Sequence, residues 1–340
     1  MKGARRNWFA HVDEVRANVA RLINADADEV AFVQNTGQGL SMVAGAMNLS
    51  AGDRIICSTA EYPSNVYPWM ALAKATGAEV VMIPERVDEH GQARVVLDDV
   101  LREISHRRTR LVAISHVQWA SGQLTDLHSI GQACHDFGVG FVVDAIQSMG
   151  VVPINVKGLK VDAVVAGSHK WLLSPGGAGV LWMRKELIAD ATPNHVGWNS
   201  VVEPFKWEQI RFDLRADAQR FEPGTLPMTS IVGLGAAVEL LLEVGVARVF
   251  EQVLDLNRLF RDGIEKLGAT VATPSEAGAG SVCFTFAGHD PLEMYKRLAS
   301  EHNVELAMRG GRVRFSPHFY NTKEQVERTL AAVGALVRKR

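Results

Sequence analysis

The sequence predicts an α/β fold: a mostly parallel seven-stranded sheet covered by helices, with a smaller α+β domain at the C-terminus. Three observations carry the prediction. Short runs rich in Val and Ile recur without polar alternation, as strands buried on both faces require. Between most of them lie stretches with apolar residues at i, i+3 and i+4, the spacing of one helix face. A length of 340 residues exceeds the roughly 100–200 residues of one domain, so about two are expected.

Taken in chain order, a helix over Trp8–Ile23 leads into the first strand, Val30–Val33. Strands follow at Arg54–Cys57, Glu79–Ile83, Arg110–Ile114, Gly140–Val143, Ala163–Ala166 and Gly179–Met183, with helices at Gln38–Met47, Ser64–Thr76, Leu97–Ile104 and Leu127–Phe137. Composition shifts after Met183. The stretch Asn194–Thr225 is rich in aromatic and charged residues, has little period, and reads as a long connection packed on a partner or on the site. Helices resume at Thr229–Leu242 and Gly245–Leu267. Strands at Gly280–Phe286, Glu305–Met308 and Arg312–Phe315 then combine with helices Pro291–Glu301 and Lys323–Arg338. The expected division is a large domain over 1–244 and a small one over 245–340, with the N-terminal helix able to pack with the small domain.

Composition excludes several classes. Hydrophobic residues at 47% and charged residues at 22% lie in the globular range, so wholesale disorder is not expected. The 36 Lys and Arg nearly cancel the 38 Asp and Glu. No field of one sign therefore argues for nucleic acid or an anionic membrane as partner. No apolar run reaches the roughly 18 residues of a membrane span. No apolar segment follows the basic N-terminal residues, as a secretory signal would require. Cys57, Cys134 and Cys283 are too scattered for a disulfide framework or a zinc knuckle, so a cytoplasmic setting and no metal are expected.

In parallel sheets, ligands gather beyond the carboxyl ends of the strands. Asp144 closes one such run, Val142-Val143-Asp144, three residues before Gln147. By itself it could be a helix cap; its other reading is a buried carboxylate paired with a cationic ring nitrogen. Lys170 follows 26 positions later, in Gly167-Ser168-His169-Lys170-Trp171. Most lysines are solvated, but this one has Trp171, Leu172 and Leu173 beside it. A desolvated lysine loses proton affinity and becomes a nucleophile or base. Gln34–Gly39 opens a helix after the first strand, where free amides and small residues admit an anion, although a simple helix-starting turn looks the same. The glycines of Ser174–Gly179 lack a P-loop ending, and no Gly-rich fingerprint with a following acid marks a dinucleotide site.

An acid, a lysine and a phosphate cradle are together the equipment for pyridoxal phosphate (PLP). In these motifs the chain resembles the class V aminotransferases of PLP fold type I, the group of cysteine desulfurases, isopenicillin N epimerase and kynureninase, from about Asp13 to the C-terminus. The resemblance implies that Lys170 carries the cofactor as a Schiff base, that Asp144 keeps the pyridinium nitrogen protonated, and that Gln147 contacts the ring hydroxyl. Thr36, Gly37 and Gln38 would bind the phosphate, joined by Ser168 and His169. Tyr62 would stack on the ring where desulfurases have histidine. Gln118 would stand in for an asparagine whose place is taken by Trp119, which cannot accept a hydrogen bond. Thr225, in Glu222–Pro227, would reach the phosphate of a neighbouring subunit, which implies a homodimer with shared sites. Arg314, six residues before Tyr320-Asn321-Thr322, would grip the substrate carboxylate, with Arg312 on the same strand face as its competitor.

The implied activity is that of a PLP-dependent enzyme acting on an amino acid. Aminotransferase is the first reading, C–S lyase or epimerase the alternatives, and a catalytically idle binding protein the reading from another class. Desulfurases need a cysteine shortly before the carboxylate arginine. Leu298–Arg312 contains none, so chemistry through an enzyme-bound persulfide is not expected.

Overall fold

The structure is a computed structural model that describes residues 2–338, with side chains from Trp8 onward. The chain runs α1 (Lys2–Leu22), β1 (Val30–Val33), α2 (Thr36–Ala46), β2 (Arg54–Ser58), α3 (Tyr67–Thr76), β3 (Glu79–Ile83), β4 (Glu85–Val87), β5 (Ala93–Val95), α4 (Leu97–Ile104), β6 (Thr109–Ser115) and α5 (Leu127–Phe137). It continues through β7 (Gly140–Asp144), β8 (Ala163–Gly167), β9 (Gly179–Met183), α6 (Lys185–Asp190) and α7 (Met228–Val244). Seven strands form one sheet in the order β1-β9-β8-β7-β6-β2-β3. Strands β3, β2, β6, β7 and β8 run parallel. Only β9 is reversed, antiparallel to both neighbours, which returns β1 to the common direction. Every residue of β1, β7 beyond Gly140, β8 and β9 is buried, the physical reason those strands read as unbroken apolar runs.

Local chemistry sets the element ends. Helices α3 and α5 stop at Gly77 and Gly138, both left-handed, where a side chain would be strained. Helix α3 begins later than the periodicity predicts. Pro63–Asn65 forms a separate 3-10 turn, and Pro68 occupies the first turn of the helix, where its missing amide costs nothing. The β4–β5 hairpin escapes a hydrophobicity reading because Glu85-Arg86-Val87 is polar and mostly exposed.

The small domain comprises α8 (Val246–Lys266), β10 (Thr270–Val271), β11 (Val282–Thr285), α9 (Pro291–His302), β12 (Ala307–Arg309), β13 (Arg312–Phe315) and α10 (Lys323–Arg338). Its antiparallel sheet has the order β10-β11-β13-β12. Phe260 stacks on Phe315 with centroids 4.0 Å apart, at the centre of a separate core. The helix at the expected boundary belongs to both domains. Val249 and Val253 of α8 join the large-domain core, while Leu256, Phe260 and Ile264 join the small one. The N-terminal helix packs with the large domain instead of the small one. Its stripe Val12, Val15 and Val19 faces that core, and Gly235 of α7 admits it: a Cβ there would fall 2.5 Å from Val15. Beneath this contact Arg16 and Glu222 form a buried two-bond ion pair, and Glu222 also accepts from the Phe32 amide.

Candidate active site

The ends of β1, β2, β6, β7 and β8 converge, as parallel strands must. The residues that follow them, with one hairpin turn of the small domain, enclose a cavity of about 730 Å³. That volume suits a cofactor together with a small substrate.

Asp144 ends β7, between β6 and β8, and is 2% exposed. One oxygen accepts from the Ile146 amide at 2.9 Å, and the residue lines the cavity. Burial pushes its carboxyl up to about 7, against the pull of that amide and of Lys170. Lys170 follows β8 and lines the same cavity. Burial first, and the charges of Arg314 and Arg309 after it, bring its amine down to about 8. Its Nζ stands 6.0 Å from the centre of the Tyr62 ring, which meets Trp119 edge-on with centroids 5.4 Å apart. Lys170 and Asp144 line the same cavity, and no ion pair joins Lys170 to a carboxylate among the described residues.

The anion end lies at the start of α2. Asn35 caps the helix by accepting from the Gln38 amide. Thr36 and Gly37, in its first turn, keep amides without intrahelical partners. The Thr36 hydroxyl accepts from the Gly167 amide at 2.9 Å, which leaves its own proton free to donate. Gly167 must be small: a Cβ there would lie 3.2 Å from the Thr36 hydroxyl and 3.3 Å from the His169 ring. Burial and the Lys170 charge hold His169 below its usual range, so a neutral imidazole faces the cavity near pH 7. Gln147 spends its amide oxygen on the Trp171 indole at 3.2 Å and keeps its amide NH₂ as a donor.

Other expected residues stand elsewhere. Ser168 is fully buried, and its hydroxyl donates to the carbonyls of Ala178 and Pro175, away from the cavity. Gln38 turns back to accept from the Gln34 amide and serves the helix start. Gln118 lies behind the wall, donating to Glu61 at 2.8 Å, with its amide oxygen buried and unpaired. Thr225 is exposed and outside this cavity. Arg314 donates to the Trp119 carbonyl and Arg312 to that of Ala120, and neither lines the cavity.

Several residues at the site were not singled out by sequence reasoning. Asn35, Ser64, Ser115 and Ile146 line the cavity, as do Met308–Gly311 at the β12–β13 turn. Under Ser115, the buried Glu61 accepts from the Ser115 amide and hydroxyl, from Asn65 and from Gln118. Burial raises its carboxyl, and these four bonds oppose the rise. The available signal was position: Glu61, Ser64 and Ser115 follow strand ends.

This donor set fits PLP. It offers an open buried carboxylate, a partly neutral lysine across the cavity, a hydroxyl with free helix-start amides, and a tyrosine face. A family model described as Aminotransferase class-V matches residues 3–329. A probable cysteine desulfurase of Methanothermobacter thermautotrophicus is 29% identical, over 93% of this chain and 81% of that protein. A probable cysteine desulfurase of Pyrococcus abyssi is 30% identical, over 96% and 83%. The apo structure of cysteine desulfurase from Thermococcus onnurineus NA1 aligns with a TM-score of 0.88 at 29% identity, covering 98% of this chain and 86% of that one. The cystine C–S lyase C-DES, at 22% identity, has the same fold, with a TM-score of 0.89 over 98% and 88% of the two chains.

Proposed function

The chain belongs to the class V aminotransferase family of PLP-dependent enzymes, and from that premise we propose that it breaks the C–S bond of a cysteine-like amino acid. The observation that carries this reading is the pairing of Lys170 with Asp144 across one cavity, in a chain whose similar relatives are named cysteine desulfurases. Those relatives favour C–S cleavage over the aminotransferase reading taken first from the sequence.

Lys170, Asp144, Thr36, Gly37, His169, Gln147 and Tyr62 would hold the cofactor. When bound, it supplies an electron sink for charge left at the substrate Cα. The Asp144 carboxylate sits where it can hold a proton on the ring nitrogen, with its cost of burial repaid by the opposite charge. A lysine lowered to about 8 is neutral in roughly a tenth of molecules at pH 7, against well under a thousandth for an ordinary one. Its Nζ therefore takes the Cα proton and returns a proton to the departing sulfur. Thr36 and the α2 amides bind the phosphate, and Gln147 donates toward the ring hydroxyl. The balanced reaction for cysteine is cysteine plus water giving pyruvate, ammonia and sulfide.

The sulfur leaves as free sulfide. Burial pushes Cys283 up to about 11 and Cys134 to about 12, raises Cys57 as well, and none of the three lines the cavity. A thiol held protonated is a poor acceptor. Incubating the holoenzyme with L-cysteine tests the proposal. Equal amounts of sulfide, pyruvate and ammonia are expected. Alanine with a protein persulfide would replace it by desulfurase chemistry, and a keto acid with pyridoxamine phosphate by transamination.

We further propose a homodimer in which Thr225 faces the partner's cavity. Phe205, Trp207, Ile210 and Phe212, exposed on the same long connection, supply apolar surface for that contact. Light scattering at twice the chain mass supports it; a monomer overturns it.

A further inference from the structure

Glu61 lies three residues beyond β2 and is 6% exposed. It neither lines the cavity nor pairs with a cation among the described residues. A buried charge of this kind is costly unless donors surround it. Four do. One carboxylate oxygen accepts from the Ser115 amide and from Gln118 Nε2, each at 2.8 Å. The other accepts from Asn65 Nδ2 at 2.8 Å and from the Ser115 hydroxyl. Three of these four groups can only donate, which is the setting of a carboxylate and not of a carboxylic acid. The side-chain amides agree. Asn65 has its carbonyl oxygen committed to the Trp69 indole at 3.2 Å, so its NH₂ faces Glu61. Gln118 donates to Glu61 while its own amide oxygen stays buried and unpaired. An unmade buried bond is expensive, and a charge at Glu61 is what outweighs it.

The donors come from the segments that build the cavity wall. Tyr62 and Ser64, which line the cavity, lie in the chain between Glu61 and its donor Asn65. Ser115 lines it at the end of β6, and Trp119 does so directly after Gln118. Ser115 is also the register partner of Asp144 across the parallel β6–β7 pair, and the His116 amide donates to the Asp144 carbonyl at 3.0 Å. Paired strands lie about 4.8 Å apart, so the two buried carboxyls are close, and ionisation of one opposes ionisation of the other. Asp144 has one amide donor, that of Ile146, against four donors at Glu61. Glu61 therefore ionises first. Burial raises the Asp144 carboxyl, and the Glu61 charge adds to the rise while Lys170 opposes it. The other titratable groups nearby carry no charge near pH 7: burial keeps the Cys57 thiol protonated and brings His116 down to about 4.

We propose that Glu61 is a positioning residue that works as a fixed anion behind Asp144: it draws the Tyr62, Ser115 and Trp119 segments together and makes the place beside Asp144 favour a protonated ring nitrogen. The inference deepens the reading of this cavity as a PLP site and rests on it.

The test compares how tightly the cofactor-free protein, prepared from the holoenzyme, binds PLP and deazapyridoxal phosphate, whose ring carries a C–H in place of the nitrogen and takes no proton. The unmodified protein is expected to prefer PLP. Glu61→Gln keeps the shape and loses the charge. It should remove about tenfold of that preference, the effect of one unit charge several ångströms away at an effective dielectric constant of about 20–40. Glu61→Gln combined with Asn65→Asp returns a negative charge to the cluster and should restore much of the preference. Glu61→Gln combined with Asn65→Ser supplies an acceptor for the new amide without the charge and should restore none. Urea unfolding shows that each variant is folded, and the neutral double variant takes the place of Glu61→Gln where the single one does not fold. Equal weakening toward both ligands would mean that Glu61 only holds the wall, and overturns the proposal. So does a preference that survives in the neutral variants, or one absent from the unmodified protein. Failure of the underlying reading looks different: PLP then produces no lysine-linked absorption band in the unmodified protein, which overturns both.

Discussion

At the sheet end of the cavity, Asp144 is 2% exposed and hangs from a strand paired on both sides, with Thr36 5% exposed nearby. At the opposite end, Arg309 is exposed on the turn of an edge strand, β12, which pairs only with β13. The difference follows from what each end must do. Shifting the proton affinities of Asp144 and Lys170 requires burial and fixed distances, which rigid strand ends provide. A surface turn can carry an accessible charge at the cavity rim without disturbing the sheet.

The comparison breaks most severely at the lysine. Lys170→Ala should reduce turnover by at least about a thousandfold, as loss of both the base and the covalent anchor would. Borohydride reduction of the holoenzyme followed by peptide mass mapping checks the anchor; a label on another residue sinks the assignment.

The framework behind the sheet end should fail next. Glu222→Ala would strand the buried Arg16 and the Phe32 amide without their acceptor. A loss of roughly 3–5 kcal/mol is expected, read from urea unfolding. A loss below about 1 kcal/mol would mean that the pair is hydrated in solution.

Asp144 sharpens the contrast through pH. Its carboxyl is raised by burial to about 7 in the folded protein from 3.8. The folded state therefore holds the extra proton between those values. The ionised acid weakens the cofactor-free fold above about pH 7, less as pH falls, and not at all below 3.8. Asp144→Asn should thus stabilise the cofactor-free protein at pH 8 by on the order of 1–3 kcal/mol, with the gain fading toward pH 4, while turnover collapses. No gain in urea midpoint at pH 8 would show that the acid is solvated.

The smallest effect is expected at the thiols. Replacing Cys57, Cys134 or Cys283 in turn by Ala should leave turnover per folded enzyme within about twofold, since inert buried thiols act only through packing. A large loss from any one of them would restore a persulfide route.

Much of the framework was legible from pattern alone. The bounds of β1, β3, β9, α4 and α5 coincide with the apolar periodicities, because these elements are shaped by burial of their own residues. The cavity was legible where a residue's place beyond a strand decides its direction, as for Thr36, Asp144 and Lys170, and, through the family resemblance, for Tyr62 and Gln147. It was not legible where a partner outside the motif decides. Ser168 is captured by the Ala178 carbonyl, 10 residues on across a folded-back loop, and Gln118 by Glu61, 57 residues away. Arg314 is held by the Trp119 carbonyl, 195 residues away.

The sequence by itself determined that a buried parallel sheet would present an acid and a lysine just beyond strand ends, because burial on both faces is written in local apolar runs; the strand order that makes those ends neighbours belongs to the tertiary structure. Only the tertiary structure decided which polar side chains remain free to meet a ligand. Tertiary hydrogen bonds consume Gln118 and part of Arg314 from segments far away in the chain, and a loop that folds back over 10 residues consumes Ser168. Such pairings depend on distances that no local pattern encodes.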